Sequence, residues 1–269
     1  TNKKHSSVLV STVMADGGQK NDFDSRGATT EDPGARRHGN FINYYKFHPA
    51  EERARQLPRG VWRRPTRPDR KYVGLDVGCN AGDLTQVLRD FLQEELSDEI
   101  EVHLLGVDLD PTLIERSRES NTNPDQVSFE PLDFMAEDRN RKLDDFLVKL
   151  NRKKFDVAFC FSITMWIHLN HGDAGLIDFL EAICSRSIMV VVEPQPWKCY
   201  RNAARRLRRA GVGEFELLES IGLNGDVAGH IDKIVVDRCS FRRVTATAEN
   251  DWGRRLLIYE RNGEPGNDA

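Results

Sequence analysis

Nowhere in this 269-residue chain do apolar residues follow one another for the ~18 to 20 positions that a membrane-spanning helix needs. The first residues, TNKKHSSVLVSTVMADGG, also lack the hydrophobic run and flanks of a secretory signal, so no membrane partner is expected. The expected compartment is the cytoplasm, with the nucleus as the alternative. Cysteine is sparse. Cys79, Cys160, Cys184, Cys199 and Cys239 are scattered without a C-x-x-C pair, which argues against a disulfide framework or a zinc site. Basic residues do not outnumber acidic ones: 39 Lys and Arg against 43 Asp and Glu leave a net charge of -4. Such a total speaks against a nucleic-acid partner only if the charge is evenly spread, so local clusters decide the matter.

What is present, 39% hydrophobic and 30% charged residues, suits one globular domain, expected to act as a monomer, with some loose sequence around it. Residues 1 to 35 are rich in Ser, Thr, Asn, Asp and Gly, and their few apolar residues keep no helical or strand period; they read as a disordered leader. Residues 36 to 262 read as the folded domain and 263 to 269 as a disordered tail. After Pro65 and Pro68, short apolar runs alternate with amphipathic helical patterns, as in a parallel sheet covered by helices on both faces. The expected strands are Tyr72 to Val77, Val102 to Asp108, Val127 to Pro131, Asp156 to Cys160 and Ile188 to Glu193. The expected helices are Asp83 to Leu96, Pro111 to Glu119, Leu143 to Leu150 and Gly172 to Cys184. Ser240 to Val244 and Arg255 to Glu260 would close the sheet as a hairpin. The fold class is α/β, a doubly wound, mostly parallel, Rossmann-like sheet of seven strands.

The segment VGLDVGCNAGDLTQVL runs from an apolar strand through a glycine turn into a helix, the arrangement that brings backbone N–H groups and a helix N-terminus against a ligand. Gly78 and Gly82 would permit the turn and a close approach. Dinucleotide enzymes use a similar loop, and some such glycines only let a helix pack on a strand. Two features favour S-adenosylmethionine. Asn80, in the pattern D-x-G-x-N-x-G that begins at Asp76, stands where the dinucleotide fingerprint has its middle glycine. Asp108 ends the next strand, placed to accept hydrogen bonds from both ribose hydroxyls. Asp110, before Pro111, reads as a helix cap. The next strand ends in LDF, where Asp133 and Phe134 suit an adenine's amino group and ring, with ordinary core as the alternative for Phe134.

FCFSITMWIHLNHGDAGL and VVEPQPWKCYRNAARRLRRAG, with GNFINYYKFHP and GLDVGCNAGDL, closely resemble the Bicoid-interacting-three domain family of RNA methyltransferases, which methylate the 5′-terminal phosphate of RNA. The resemblance runs from about Gly39 to Arg261. It implies a class I S-adenosylmethionine-dependent methyltransferase with cofactor contacts from Arg53, Asn80, Asp108, Asp133, Phe134 and Phe161. Capping enzymes in this family, which act on a 5′-triphosphate end, carry a lysine where this chain has Met165. The segment WKCYRNAARRLRR is similar to the branch that acts on 5′-monophosphate RNA, including small-RNA precursors and a transfer RNA. Phosphate contacts of the capping branch therefore do not transfer at His48 and Met165. A capping activity, and a silent RNA-binding adaptor with the same fold, remain the alternatives.

A terminal phosphate has its second pKa near ~6, so at neutral pH its oxygen is anionic and needs no general base. The site should instead supply hydrogen-bond donors that orient the phosphate, and aromatic walls around a sulfonium. Tyr44, Tyr45, Trp166 and His168 are the candidates, with Tyr44 and His168 as positioning donors at the reacting end. His168 and His171 lie three apart, but no third ligand string accompanies them and no metal is expected. For RNA, Lys198, Arg201, Arg205, Arg206, Arg208 and Arg209 form a run without one acid, and Arg201, Arg205 and Arg208 share a helix face. A second, Pro-broken cluster comprises Arg59, Arg63, Arg64, Arg67, Arg70 and Lys71. Either could be an RNA track or a solvated basic face.

Overall fold

Seven strands make one sheet in the order β3-β2-β1-β4-β5-β7-β6. These are β1 (Lys71–Val77), β2 (Glu101–Asp108), β3 (Val127–Pro131), β4 (Phe155–Phe161), β5 (Ser187–Glu193), β6 (Phe241–Ala246) and β7 (Leu257–Arg261). The computed structural model describes residues 35–42 and 44–263; the rest of the expected leader, residues 1–34, and residues 264–269 of the expected tail lie outside them. Pairings among β1 to β5 are all parallel, and β7 runs antiparallel to both β5 and β6. The closing hairpin is thus where its two apolar runs suggested. No helix of the described residues is long and apolar enough to cross a membrane.

β4 and β5 are buried at every position, which is why they read as continuous apolar runs. Alternate residues feed two layers. In β5, Val190 and Val192 pack with the core on one face, whereas Met189 and Val191 join the core on the other. β6 is the outer edge, and its exposed Arg242 and Arg243 keep that edge from pairing with another chain.

Nine α-helices lie among the described residues. Three short ones precede the sheet: α1 (Ala35–His38), α2 (Tyr44–Phe47) and α3 (Ala50–Ala54). The others connect strands: α4 (Asp83–Leu96), α5 (Pro111–Glu119), α6 (Arg139–Lys149), α7 (Thr164–Arg186), α8 (Trp197–Arg209) and α9 (Val227–Lys233). Asp110 caps α5 as expected, accepting from the Thr112 N–H at 2.9 Å with Pro111 in the first turn. α7 begins at Thr164 rather than Gly172. Gly172 instead breaks it, with φ 65° and ψ -169°. The first half was missed because its buried Thr164, Met165, Ile167, His168 and Leu169 crowd one short segment and leave no clean polar face.

The chain winds outward from β1 through β2 to β3, then returns to place β4 on the other side of β1. Open α/β sheets bind ligands at this reversal, beyond the carboxyl ends of the strands. The glycine loop stands there. Gly78 and Cys79 N–H both bond the Val107 carbonyl, at 2.8 and 3.0 Å, which folds the loop back over β2.

Gly82 serves packing rather than ligand approach, a correction to the sequence reading. It has φ +84°, and a Cβ there would meet the Phe129 ring at 2.7 Å and Ser117 Cβ at 2.8 Å. Gly82→Ala should therefore cost about 2 to 4 kcal/mol, combining left-handed strain with overpacking. Gly60→Ala, at φ +74° with nothing within 4 Å, should cost only the strain, about 1 kcal/mol. Denaturant unfolding of the two variants checks the difference; equal losses would refute the packing role.

Candidate functional site

At the reversal point a cleft opens beyond the ends of β1, β2, β3 and β4. Its walls include Gly78 and Asn80 from the loop, Asp108 from β2, Asp133 and Phe134 after β3, and Phe161 from β4. Tyr44, Tyr45, Arg53 and Trp166 close it from the helical side. The structure thus brings together residues from widely separated segments.

Asp108 is buried, and its carboxylate accepts from the Asn80 N–H and the Asp110 N–H, each at 3.0 Å. Each oxygen keeps a lone pair for a further donor. Burial pushes its pKa up to about 6, partly offset by those N–H donors. Asn80 adopts φ +53°, a conformation that Asn tolerates better than most residues. Its side chain bridges Phe41 O (3.0 Å) and the Ala81 N–H (2.8 Å), fixing the loop against the segment before α2. Asp133 accepts from the Met135 N–H at 2.9 Å, and Phe134 is buried edge-on to Phe179.

Asp76 behaves differently from the sequence reading. It lies beneath the loop, buried, and accepts from the Thr85 hydroxyl at 2.7 Å without reaching the cleft wall. Burial raises its pKa to about 6. Asp76 therefore ties α4 to β1. Tyr45 donates to the Cys79 carbonyl at 3.1 Å, so its hydroxyl buttresses the glycine loop and is not offered to an RNA.

Arg53 is the center of a buried ionic network. Its guanidinium is 2.5 Å from Glu193, at the end of β5, and donates to the Ser162 hydroxyl at 2.9 Å. Ser162 in turn donates to Glu193. Burial opposes the arginine's charge, but the Glu193 carboxylate together with Tyr44 and Tyr45 more than offsets this and holds it fully ionised. The Phe161 ring lies 4.9 Å and the Tyr44 ring 5.5 Å from that guanidinium. Ser162 has φ +56°, a strained conformation for a serine, and Gln195 locks it by donating to its carbonyl at 2.6 Å. The SIT and EPQP strings therefore interlock: Ser162 from one meets Glu193 and Gln195 from the other.

His168 is not at the cleft, which corrects its expected role as a positioning donor. It is wholly buried, with Nε2 2.7 Å from Asp173 and Nδ1 3.1 Å from the Tyr200 hydroxyl. Nε2–H donates to the carboxylate, so Nδ1 accepts from the tyrosine, and neither nitrogen remains for a ligand. Asp173 also accepts from the Gly222 N–H at 2.9 Å, so this cluster pins α7 across its Gly172 break. His168→Ala should cost about 2 to 4 kcal/mol in unfolding free energy, since Tyr200 and Asp173 lose a buried partner. Cofactor affinity should stay within threefold by calorimetry; a variant that folds normally but loses activity would restore the catalytic role.

Tyr44 does reach the cleft, and its hydroxyl is buried without a hydrogen-bond partner. Of the basic clusters, α8 keeps Arg201, Arg205 and Arg208 exposed on one side, with Arg208 2.9 Å from Glu214. The Pro-broken cluster is largely consumed by carboxylates: Arg59 pairs with Glu94 and Glu95, Arg63 with Glu260, Arg67 with Asp156 and Arg70 with Glu99. The Arg63 and Arg67 pairs tie the entry segment to β7 and β4, and the Arg59 pairs tie it to α4. Among the described residues no group of three or more His, Cys, Asp or Glu could hold a metal.

The family profile described as Bicoid-interacting protein 3 (Bin3) matches residues 155–261, and one described as a methyltransferase domain matches residues 75–186. A Xenopus laevis protein named pre-miRNA 5′-monophosphate methyltransferase is 43% identical over 244 residues, covering 87% of this chain and 96% of its own length. The chain belongs to the Bin3 family. A Homo sapiens protein named RNA 5′-monophosphate methyltransferase is 44% identical over 238 residues, 84% of this chain and 81% of that one. Among solved structures, the CurJ carbon methyltransferase superposes with a TM-score of 0.50 at 13% identity, over 73% of this chain and 50% of that one. The fold of this Bin3 protein is that of the class I S-adenosylmethionine-dependent methyltransferases.

Two Bin3-side features escaped the sequence reading. Glu193, the partner of Arg53, was legible only as an acid ending an apolar strand. Arg254, between β6 and β7, donates to Ser162 at 2.7 Å and lies 3.6 Å from Glu193. No local pattern marks it.

Proposed function

We propose that this protein transfers a methyl group from S-adenosylmethionine to the 5′-terminal monophosphate of an RNA. The observation that carries the reading is the cleft at the sheet reversal, with Asp108 at one end and the buried Arg53–Glu193–Ser162 network at the other. Two 5′-monophosphate RNA methyltransferases more than 40% identical to this chain support the choice of acceptor.

The residues present fit the cofactor. Asp108 has lone pairs for ribose hydroxyls, Asp133 and Phe134 suit an adenine, and Arg53 offers a charge-assisted bond to a carboxylate. The orphaned Tyr44 hydroxyl gives the cleft a polar donor that finds no partner within the protein. When bound, S-adenosylmethionine supplies an electrophilic methyl on a sulfonium. The chain's own work is to hold and shield: Phe161, Trp166 and Tyr44 wall off water, and Tyr44 orients an incoming oxygen. Burial and the nearby Arg254 and Arg53 depress the His48 pKa to about 3, so it stays neutral and is a poor proton acceptor. That suits an acceptor already anionic at neutral pH.

Incubation with labelled S-adenosylmethionine and 5′-phosphorylated RNA should label the RNA. Phosphatase treatment of the RNA beforehand should abolish the labelling; persistence would place the methyl elsewhere and reject the reading.

A further inference from the structure

The connection between β6 and β7 is a built loop. Asn250 Oδ1 accepts from the Trp252 N–H at 3.0 Å and the Arg254 N–H at 2.9 Å, and the Asn250 N–H donates to the Arg254 carbonyl at 2.7 Å. Thr247 and Leu256 close its base through two bonds of 3.0 and 2.9 Å. Trp252 meets the His48 ring edge-on at 4.6 Å, and His48 packs on Tyr44 at 5.2 Å. The loop is thereby held against the mouth of the cleft, and Arg254 points inward to Ser162.

Charge and hydrogen bonding are both unbalanced there. Two guanidinium groups, Arg53 and Arg254, face one carboxylate, Glu193, which Arg53 and Ser162 already engage more closely. Arg254 Nε is buried with no hydrogen-bond partner, as are the Tyr44 hydroxyl and Glu193 Oε1. An unpartnered guanidinium donor and an unpartnered hydroxyl, beside two cations that share one carboxylate, describe a place for an anion with several oxygens. Arg53 lines the cofactor cleft, whereas Arg254 lies behind Ser162, outside it. Outside, the basic face of α8 leads to the same point. A Cβ built on Gly253, the residue before Arg254, would sit 3.6 Å from Lys198 Nζ and 4.0 Å from Glu249 Oε2, so that ammonium stands against the outer side of the same loop, with Arg201 one turn further along α8.

We propose that Arg254, with Lys198 at its outer side, holds the terminal phosphate of the acceptor and makes the enzyme require it. The inference rests on the RNA 5′-phosphate reading above. A guanidinium fork matches two phosphate oxygens at once, and the lysine adds a point charge where the strand enters. Neither residue touches the reacting methyl; both set where the acceptor oxygen stands.

The test measures methyl transfer and filter binding for one short RNA with either a 5′-phosphate or a 5′-hydroxyl, using wild type, Arg254→Gln, Arg254→Lys and Lys198→Glu. Arg254→Gln should raise KM for the phosphorylated RNA about 10- to 100-fold and erase the preference for a phosphorylated over a hydroxyl end in binding. Its S-adenosylmethionine affinity should stay within threefold. Arg254→Lys should recover part of the loss. Should Arg254→Gln fold poorly, the exposed Lys198→Glu supplies the same readout, with a KM increase of about tenfold confined to the phosphorylated RNA. A wild type that binds the phosphorylated RNA more tightly than the hydroxyl RNA, while both Arg254→Gln and Lys198→Glu keep that binding preference and the wild-type KM, overturns this inference alone. A wild type that transfers no methyl to the phosphorylated RNA, or transfers it equally to the hydroxyl RNA, overturns the substrate reading and this inference together.

Discussion

Arg53→Met is expected to lower S-adenosylmethionine affinity at least 100-fold and to destabilise the fold by about 3 to 5 kcal/mol. Both effects come from one place. Arg53 and Glu193 are 3% and 1% exposed, so removing the cation leaves a carboxylate buried with only the more distant Arg254 and the Ser162 hydroxyl. Adding Glu193→Gln should separate the two effects. The double variant removes the uncompensated charge and should regain most of the stability, while the cofactor affinity stays low because the donor to its carboxylate is gone. Denaturant unfolding and calorimetry on the two variants check this. If the double variant recovered affinity together with stability, Arg53 would be a structural residue only.

The second large effect concerns Asp108. Asp108→Asn should weaken cofactor binding about 10- to 150-fold at pH 7.5, since a charged acceptor for two hydroxyl donors becomes a neutral one. The pH dependence carries a sign. In the free protein, burial raises the Asp108 pKa to about 6, above its ordinary 3.8. Between those values the folded state holds more protons than the unfolded one, so this group's stability contribution is present below pH 3.8 and lost as pH rises through 6. Hydroxyl donors favour the carboxylate, so cofactor binding releases a proton near pH 6. Affinity should therefore be flat above pH 7 and fall up to tenfold per unit as pH drops below 6. Calorimetry between pH 5 and 8 measures it. A wild-type profile as flat as that of Asp108→Asn would remove Asp108 from the cofactor site.

The sequence made the sheet legible because β1, β2, β4 and β5 are buried over nearly their whole length, a consequence of being covered on both faces. The cofactor side was legible for a related reason. Asp108 and Asp133 each follow an apolar run, so a carboxylate at a strand's carboxyl end announces itself. His168 misled because its type suggests chemistry, while its partners, Asp173 and Tyr200, become neighbours only after α7 bends at Gly172 and α8 packs beside it. Arg254 was invisible for a similar reason. It is one arginine among many in a loop, and only the antiparallel return of β7 beside β5 brings it to Ser162 and Glu193. The Pro-broken basic cluster stayed open between an RNA track and a solvated face, because its carboxylate partners lie between 29 and 197 positions away along the chain.

Methyl transfer to one RNA prepared with a 5′-hydroxyl, a 5′-monophosphate or a 5′-triphosphate decides the acceptor. The monophosphate end should give the highest kcat/KM, and the hydroxyl end should accept no methyl. Equal transfer to the hydroxyl end, or a clear preference for the triphosphate, would contradict the 5′-monophosphate reading.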